Sequence, residues 1–205
     1  MSASYLIPAE RVQTEIVIKK SRFISTVQLA ASVQEARAVI AGLREEMPDA
    51  NHHVYAFRVG FGKSVTEGMS DDGEPTGTSG PPTLAVVRGS GIGDIALVTA
   101  RYFGGTKLGT GGLVRAYTES AQEALSMLKT ELKVEKRELG LEMPYSLYNI
   151  VKRLIATYRG DIQEEEFAAQ VLIIVRFAAD DLEAFSADLQ ERTSAQVSVV
   201  DLSQL

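Results

Sequence analysis

Fourteen of the seventeen glycines in this chain fall between Gly60 and Gly112, and only two follow residue 134. Glycine permits left-handed turns and close backbone approaches, and it weakens helix and strand interiors. One central segment should therefore hold tight loops joining short elements, with the longer regular elements flanking it. Charge divides at the same place. Residues 1–134 carry 14 Lys+Arg against 14 Asp+Glu, whereas residues 135–205 carry 7 against 13 and so account for the whole net charge of −6. Two counts that change together predict two domains, 1–134 and 135–205, each of ordinary size.

Composition narrows the class. With 45% hydrophobic and 23% charged residues, packed cores are expected. No apolar run approaches the roughly 18 residues of a membrane span, so no membrane partner is expected. Residues 1–8 lack the basic and apolar regions of a secretory signal. Cysteine is absent, which removes disulfides, thiolate catalysis and cysteine metal sites and suits a cytoplasmic protein. The acidic total argues against a broad phosphate-binding surface and leaves room for a local basic face on the neutral half.

Periodicity supplies the elements. Strands are expected at Glu15–Ile18 and Arg22–Leu29, parted by a basic turn. Ser32 and Glu35 read as a capping box opening a helix that stops near Pro48. His53–Val59 reads as a strand, Gly68–Gly80 as a long ordered loop, and Pro81–Val87 as a short helix. A buried strand is expected at Ile92–Tyr102, then a loop at Gly104–Gly112 and a helix to Leu128. Lys129–Lys136 reads as the linker. Beyond it come a strand around Leu139–Met143, a helix over Leu147–Tyr158, and strands near Asp161–Phe167 and Gln170–Phe177. A helix capped by Asp180 and Glu183 and a strand at Val197–Leu202 close the chain. That order is β-α-β-β-α-β, the ferredoxin-like split motif, and the fold class is α+β.

Two motifs carry candidate chemistry. The first places Asp71, Asp72 and Glu74 within one turn-rich loop. Three carboxylates this close suit a hard cation such as Mg²⁺, acid–base catalysis, or a basic partner; the plainer alternative is a solvated acidic turn. The second runs from Arg101 to Arg115 in the order strand, glycine loop, helix, which gathers free backbone N–H groups at one point. Its phosphate-binding candidates are Arg101, Gly104, Gly105, Thr106, Lys107, Gly109, Thr110, Gly111, Gly112 and Arg115. Lys20, Arg22, Tyr102 and Tyr117 are candidates for an adjoining nucleic-acid face, and Tyr102, Phe103 and Tyr117, which flank the second loop, could stack on bases where exposed.

Other signatures fail on spacing. Gly62-Lys63-Ser64 mimics the end of a P-loop, but Phe57 stands where its first glycine belongs. Gly77-Thr78-Ser79-Gly80 lacks the second glycine of a nucleophile elbow. His52 and His53 are adjacent, so on a strand they face opposite sides and cannot share a metal.

Ser70–Pro82 and Arg101–Tyr117 together resemble the signature of the IMPACT family, in its bacterial YigZ-like branch. Lys19–Ile24 and His53 fit the same pattern, and the likeness covers essentially the whole chain. The resemblance implies an N-terminal ribosomal protein S5 domain 2-like fold and a C-terminal ferredoxin-like domain similar to the last domain of elongation factor G. The same pair of folds works on the ribosome in elongation factor G, and the leading expectation is a non-enzymatic binding protein acting on RNA or the ribosome, in translation or its regulation. Two alternatives stay open. One is an enzyme on a small phosphorylated or nucleotide ligand, with Mg²⁺ at the acidic loop. The other is a protein-interaction module working through the C-terminal domain. Convergence of the two motifs on one closed pocket would favour the enzyme; an open basic face would favour RNA.

Overall fold

The computed structural model describes residues 4–62, 64–134 and 136–200. The chain divides into two compact units, one spanning Tyr5–Lys133 and the other running from Val134 onward.

The first unit is built on β2 (Val12–Ile18), β3 (Ser21–Leu29), β4 (His52–Phe61), β5 (Ser64–Ser70) and β6 (Ile95–Tyr102). They form one antiparallel sheet in the order β2-β3-β6-β4-β5. Side chains alternate across a strand, so each face has its own core. Helix α1 (Val33–Glu46) packs Ala36, Ile40 and Leu43 against Ala96, Val98 and Ala100. On the opposite face, α2 (Gly80–Gly89) and α3 (Thr110–Ser126) pack Leu84, Val87, Ala121 and Ala124 against Ile95 and Leu97. Sandwiched between helical layers, β6 is buried from Ile95 to Arg101. That is why it reads as an unbroken apolar run. The strand begins three residues later than expected, because Asp94 turns the chain with φ +49°.

Helix α1 starts as its sequence indicates. Ser32 is extended, and its hydroxyl accepts from the Glu35 amide at 3.1 Å. Glu35 Oε2 in turn accepts from the Ala31 amide. The β2–β3 hairpin closes through Lys19 and Lys20 alone, with φ +46° and +69°. Left-handed backbone costs a residue with a β-carbon about 1–2 kcal/mol.

Three strands were not expected. β1 (Ser4–Pro8) pairs with β7 (Thr130–Val134), so most of the expected linker is a strand. Its partner lies far away in sequence, and nothing local announces the pairing. β5 occupies the segment before Asp71, so the acidic loop is shorter than Gly68–Gly80. Gly68 sits inside that strand because a β-carbon there would lie 2.3 Å from Phe57 Cζ.

The second unit contains β8 (Lys136–Met143), α4 (Tyr148–Thr157), β9 (Asp161–Phe167), β10 (Val171–Ala178), α5 (Leu182–Thr193) and β11 (Ser198–Val200). The strand order is β11-β8-β10-β9, all antiparallel, which with the two helices is the β-α-β-β-α-β motif. Its core includes Leu141, Met143, Val151, Ile173, Phe177 and Phe185. One expectation fails here: the N-cap of α5 is Asp181, and it makes no side-chain cap bond. A short 3₁₀ turn over Ala179–Asp181 already puts that backbone in the helical region, whereas a capping residue is extended. Residues 201 and 202 of the expected last strand lie outside the described residues.

Candidate functional site: a pocket between two glycine-rich motifs

Residue Arg101 lies near the end of β6, on the sheet face covered by α3. Its guanidinium donates to Glu74 Oε1 at 2.6 Å, and both side chains are almost fully buried. The same oxygen accepts from the Tyr117 hydroxyl at 2.8 Å. Burial and the neighbouring Glu74 carboxylate push the Tyr117 phenol far above its ordinary range, so it acts as a donor. Glu74 Oε2 faces His52 Nε2 at 3.9 Å, while His52 Nδ1 meets the Asp72 carbonyl oxygen at 2.8 Å. The Ser21 hydroxyl lies 3.4 Å from Arg101 Nη2 and accepts from the Gly104 amide at 3.2 Å. Arg101 Nε is buried and has no partner among the described residues.

Both motifs line one open pocket of about 350 Å³. Glu74 and Pro75 come from the acidic loop. Arg101, Phe103, Lys107, Leu108, Gly109, Thr110 and Leu113 come from the second motif. Phe103 is 48% exposed and lies 5.6 Å from the Arg101 guanidinium. Its backbone is fixed by Asn51, whose side-chain oxygen accepts from the Phe103 amide at 2.7 Å. The loop turns through positive φ at Gly105 and Gly109. Helix α3 follows with Gly109 as N-cap, no side-chain cap bond and no acidic residue in its first turn. The N–H groups that begin an α-helix lack intrahelical partners and carry the positive end of its dipole. This end therefore presents them without a protein acceptor side chain.

The three carboxylates of the acidic loop do not converge. Asp71 accepts from the amides of Gly77, Ser79 and Gly80 at 2.9, 2.9 and 2.8 Å, folding the loop and capping α2. Asp72 accepts from the His53 amide and from Arg44, both at 2.6 Å. Glu74 turns inward to Arg101. No cluster of three potential metal-ligating side chains occurs among the described residues. The Mg²⁺ expectation for Asp71, Asp72 and Glu74 thus meets carboxylates that point apart and already hold donors.

Several expected phosphate and nucleic-acid residues are also placed elsewhere. Arg101 is committed to Glu74, so it shapes the pocket wall more than it offers free charge. Tyr117 is fully buried and cannot stack on a base. Tyr102 alternates to the face opposite Arg101, where Arg22 lies over its ring at 5.2 Å. Arg22 itself is held by both Glu15 oxygens at 2.8 and 2.9 Å. Lys20, Arg22, Tyr102 and Tyr117 therefore do not form one surface. Thr106, Lys107 and Arg115 are exposed, but of these only Lys107 lines the pocket. Gly104 is pinned by packing, since a β-carbon there would lie 2.0 Å from the Lys20 carbonyl carbon. Gly111 has open space around it, and Gly112 packs on Leu108. The expectation that His52 and His53 point to opposite sides holds: His53 is buried, its Nε2 3.0 Å from the Met47 carbonyl oxygen.

Asn51 and His52 enter the site without a sequence signal, and Ser21 had only its place in the Lys19–Ile24 pattern, because each reaches the site through the register of neighbouring strands. Of the three aromatics expected to stack if exposed, Phe103 is the one that lines the pocket, at the position where β6 leaves the core.

Comparison with known proteins follows the same two-part division. Residues 19–125 match the model of the Impact N-terminal domain, and residues 141–196 match a domain of unknown function, DUF1949. An IMPACT family member from Haemophilus influenzae is 40% identical over 96% of both chains. The IMPACT family member YigZ of Escherichia coli is 40% identical over 97% of this chain and 98% of its own. Among solved structures, a hypothetical protein aligns over 98% of both chains with 39% identity and a TM-score of 0.73. No helix among the described residues is long and apolar enough to cross a membrane.

Proposed function

This chain belongs to the IMPACT family, and we propose that it is a non-catalytic binding protein whose pocket takes a nucleotide unit of single-stranded RNA. One arrangement carries the reading: the exposed Phe103 ring, Lys107 and the uncapped start of α3 line one pocket together with the acidic loop. An aromatic platform beside a cation is the arrangement that binds unpaired bases and their phosphates. Pairing with Arg101 compensates the one carboxylate in the pocket wall, so Glu74 does not repel an anion. The neutral overall charge of residues 1–134 fits a footprint this local. Ribosomal RNA is the source that suits the elongation-factor-like domain pair implied by the resemblance.

Binding of a labelled single-stranded RNA, followed by fluorescence anisotropy across a salt series, tests this. Affinity should fall steeply with salt, by about 0.7 logarithmic units per decade for each phosphate engaged. Lys107→Ala should weaken it, and Arg115→Ala, outside the pocket, should weaken it less. Absent or salt-independent binding counts decisively against the reading.

A second reading draws on the convergence itself. A pocket of about 350 Å³ is of a size that holds a small ligand, so a free nucleotide or phosphorylated metabolite is the alternative occupant. Thermal shifts with nucleotides, with and without Mg²⁺, would reveal it. Stabilisation by mononucleotides with no RNA affinity would favour this alternative.

A further inference from the structure

The turn Lys19-Lys20 has no structural reason to be lysine. Two-residue hairpin turns with positive φ at both positions are type I′, and Asn-Gly is their favoured sequence because it tolerates left-handed backbone. Here both positions carry long side chains, at φ +46° and +69°. Both lysines are exposed, and neither forms an ion pair or side-chain hydrogen bond among the described residues. Unfavourable backbone conformation concentrates where function requires particular side chains.

The position of the turn says what that function is. Gly104, which opens the pocket loop, lies directly on the backbone of Lys20 and donates its amide to Ser21 Oγ at 3.2 Å. The same loop carries Lys107 and ends at the start of α3. Two exposed lysines thus sit on a turn whose backbone packs against the loop that leads to Lys107 and the pocket, which already offers one anion position. Resting on the reading above, we infer that the Lys19-Lys20 turn is a second phosphate subsite. The ligand is then a strand bearing consecutive phosphodiesters rather than a nucleotide with a single phosphate. The pocket takes one phosphate, and the turn takes its neighbour.

The double variant Lys19→Asn/Lys20→Gly tests this in the full chain, because it improves the turn while removing the charge. Its thermal midpoint should rise by about 2–4 °C. Its affinity for the labelled RNA should fall about tenfold at low salt, and the salt slope should become shallower by about 0.7, the share of one single-strand phosphate. Lys19→Arg/Lys20→Arg should keep both affinity and slope. In competition, adenosine 3′,5′-bisphosphate should displace the RNA better than AMP, and the double variant should lose that preference. If the Asn-Gly variant binds RNA as the wild type does while Lys107→Ala weakens binding, the second subsite is wrong and the pocket reading stands. A lowered midpoint would show that the lysines serve the turn, and would also overturn it. If wild type binds no RNA and does not prefer the bisphosphate, both readings fall together.

Discussion

Glu74 and Arg101 meet at 2.6 Å with side-chain exposures of 3% and 6%, joining the two glycine-rich motifs through one buried ion pair. Removing one partner of such a pair strands the other charge, whereas replacing both with apolar groups does not. Arg101→Met or Glu74→Leu alone should therefore cost about 3–5 kcal/mol of unfolding free energy. The double variant should cost clearly less than the two added together. Urea denaturation of the three variants measures the cycle; additive losses would show that the residues act independently.

Asp71 should make the N-terminal unit sensitive to acid. Burial works against its charged form, but the amides of Gly77, Gly80 and Ser79 outweigh burial and hold the carboxyl below its ordinary range. A carboxyl depressed in the folded state contributes stability that is fully present above its unfolded pKa, about 4. That contribution is lost as pH falls through the folded value. Asp71→Asn should flatten this acid limb, and should cost about 1–3 kcal/mol near neutrality by leaving loop amides poorly matched. Unfolding free energies from neutral pH down to the acid transition give both readouts.

Asp94 should behave as a structural hub and not as part of the pocket. Buried, with φ +49°, it accepts from the Gly60 amide at 2.7 Å and the Tyr5 hydroxyl at 2.9 Å, and it pairs with Lys133. Burial raises its pKa, but Lys133, the Gly60 amide and Tyr5 together hold it below the ordinary carboxylate range. Asp94→Ala removes the acceptor that links Tyr5, Gly60 and Lys133. It should cost about 3 kcal/mol while leaving RNA affinity at low temperature unchanged. Chemical denaturation beside anisotropy separates the two effects.

Two glycines of the same motif should respond in opposite ways. Gly104→Ala places a β-carbon 2.0 Å from the Lys20 backbone and should destabilise the unit severely. Gly111→Ala meets open space in the first turn of α3, where alanine is the better helix former by about 1 kcal/mol. Its thermal midpoint should stay level or rise. Circular dichroism melts decide both, and a stable Gly104→Ala variant would contradict the packing described here.

Much of this was legible along the chain. The Ser32–Glu35 box opens α1 because a capping box is a contact between residues three apart. The continuous apolar run of β6 marked a strand covered on both faces. The glycine density marked the site, since close approach and positive φ are demanded locally. The pairing of β1 with β7 was not legible, because it joins segments at opposite ends of the first unit and neither is strongly patterned.

The glycine-rich segment by itself determined where the pocket would lie and which residue types would surround it. It could not determine which side chains remain free to meet a ligand. Asp71 and Asp72 read as open carboxylates, yet folding spends them on backbone amides and Arg44. Arg101 and Tyr117 read as ligand contacts, yet both converge on Glu74 in the interior. The reason is physical: a carboxylate or guanidinium that folding buries must find its partner within the protein. That partner comes from strand register and helix packing, which no local spacing encodes. What the tertiary structure left exposed at the pocket is Phe103, Lys107 and the start of α3, with the Lys19-Lys20 turn exposed on the neighbouring hairpin.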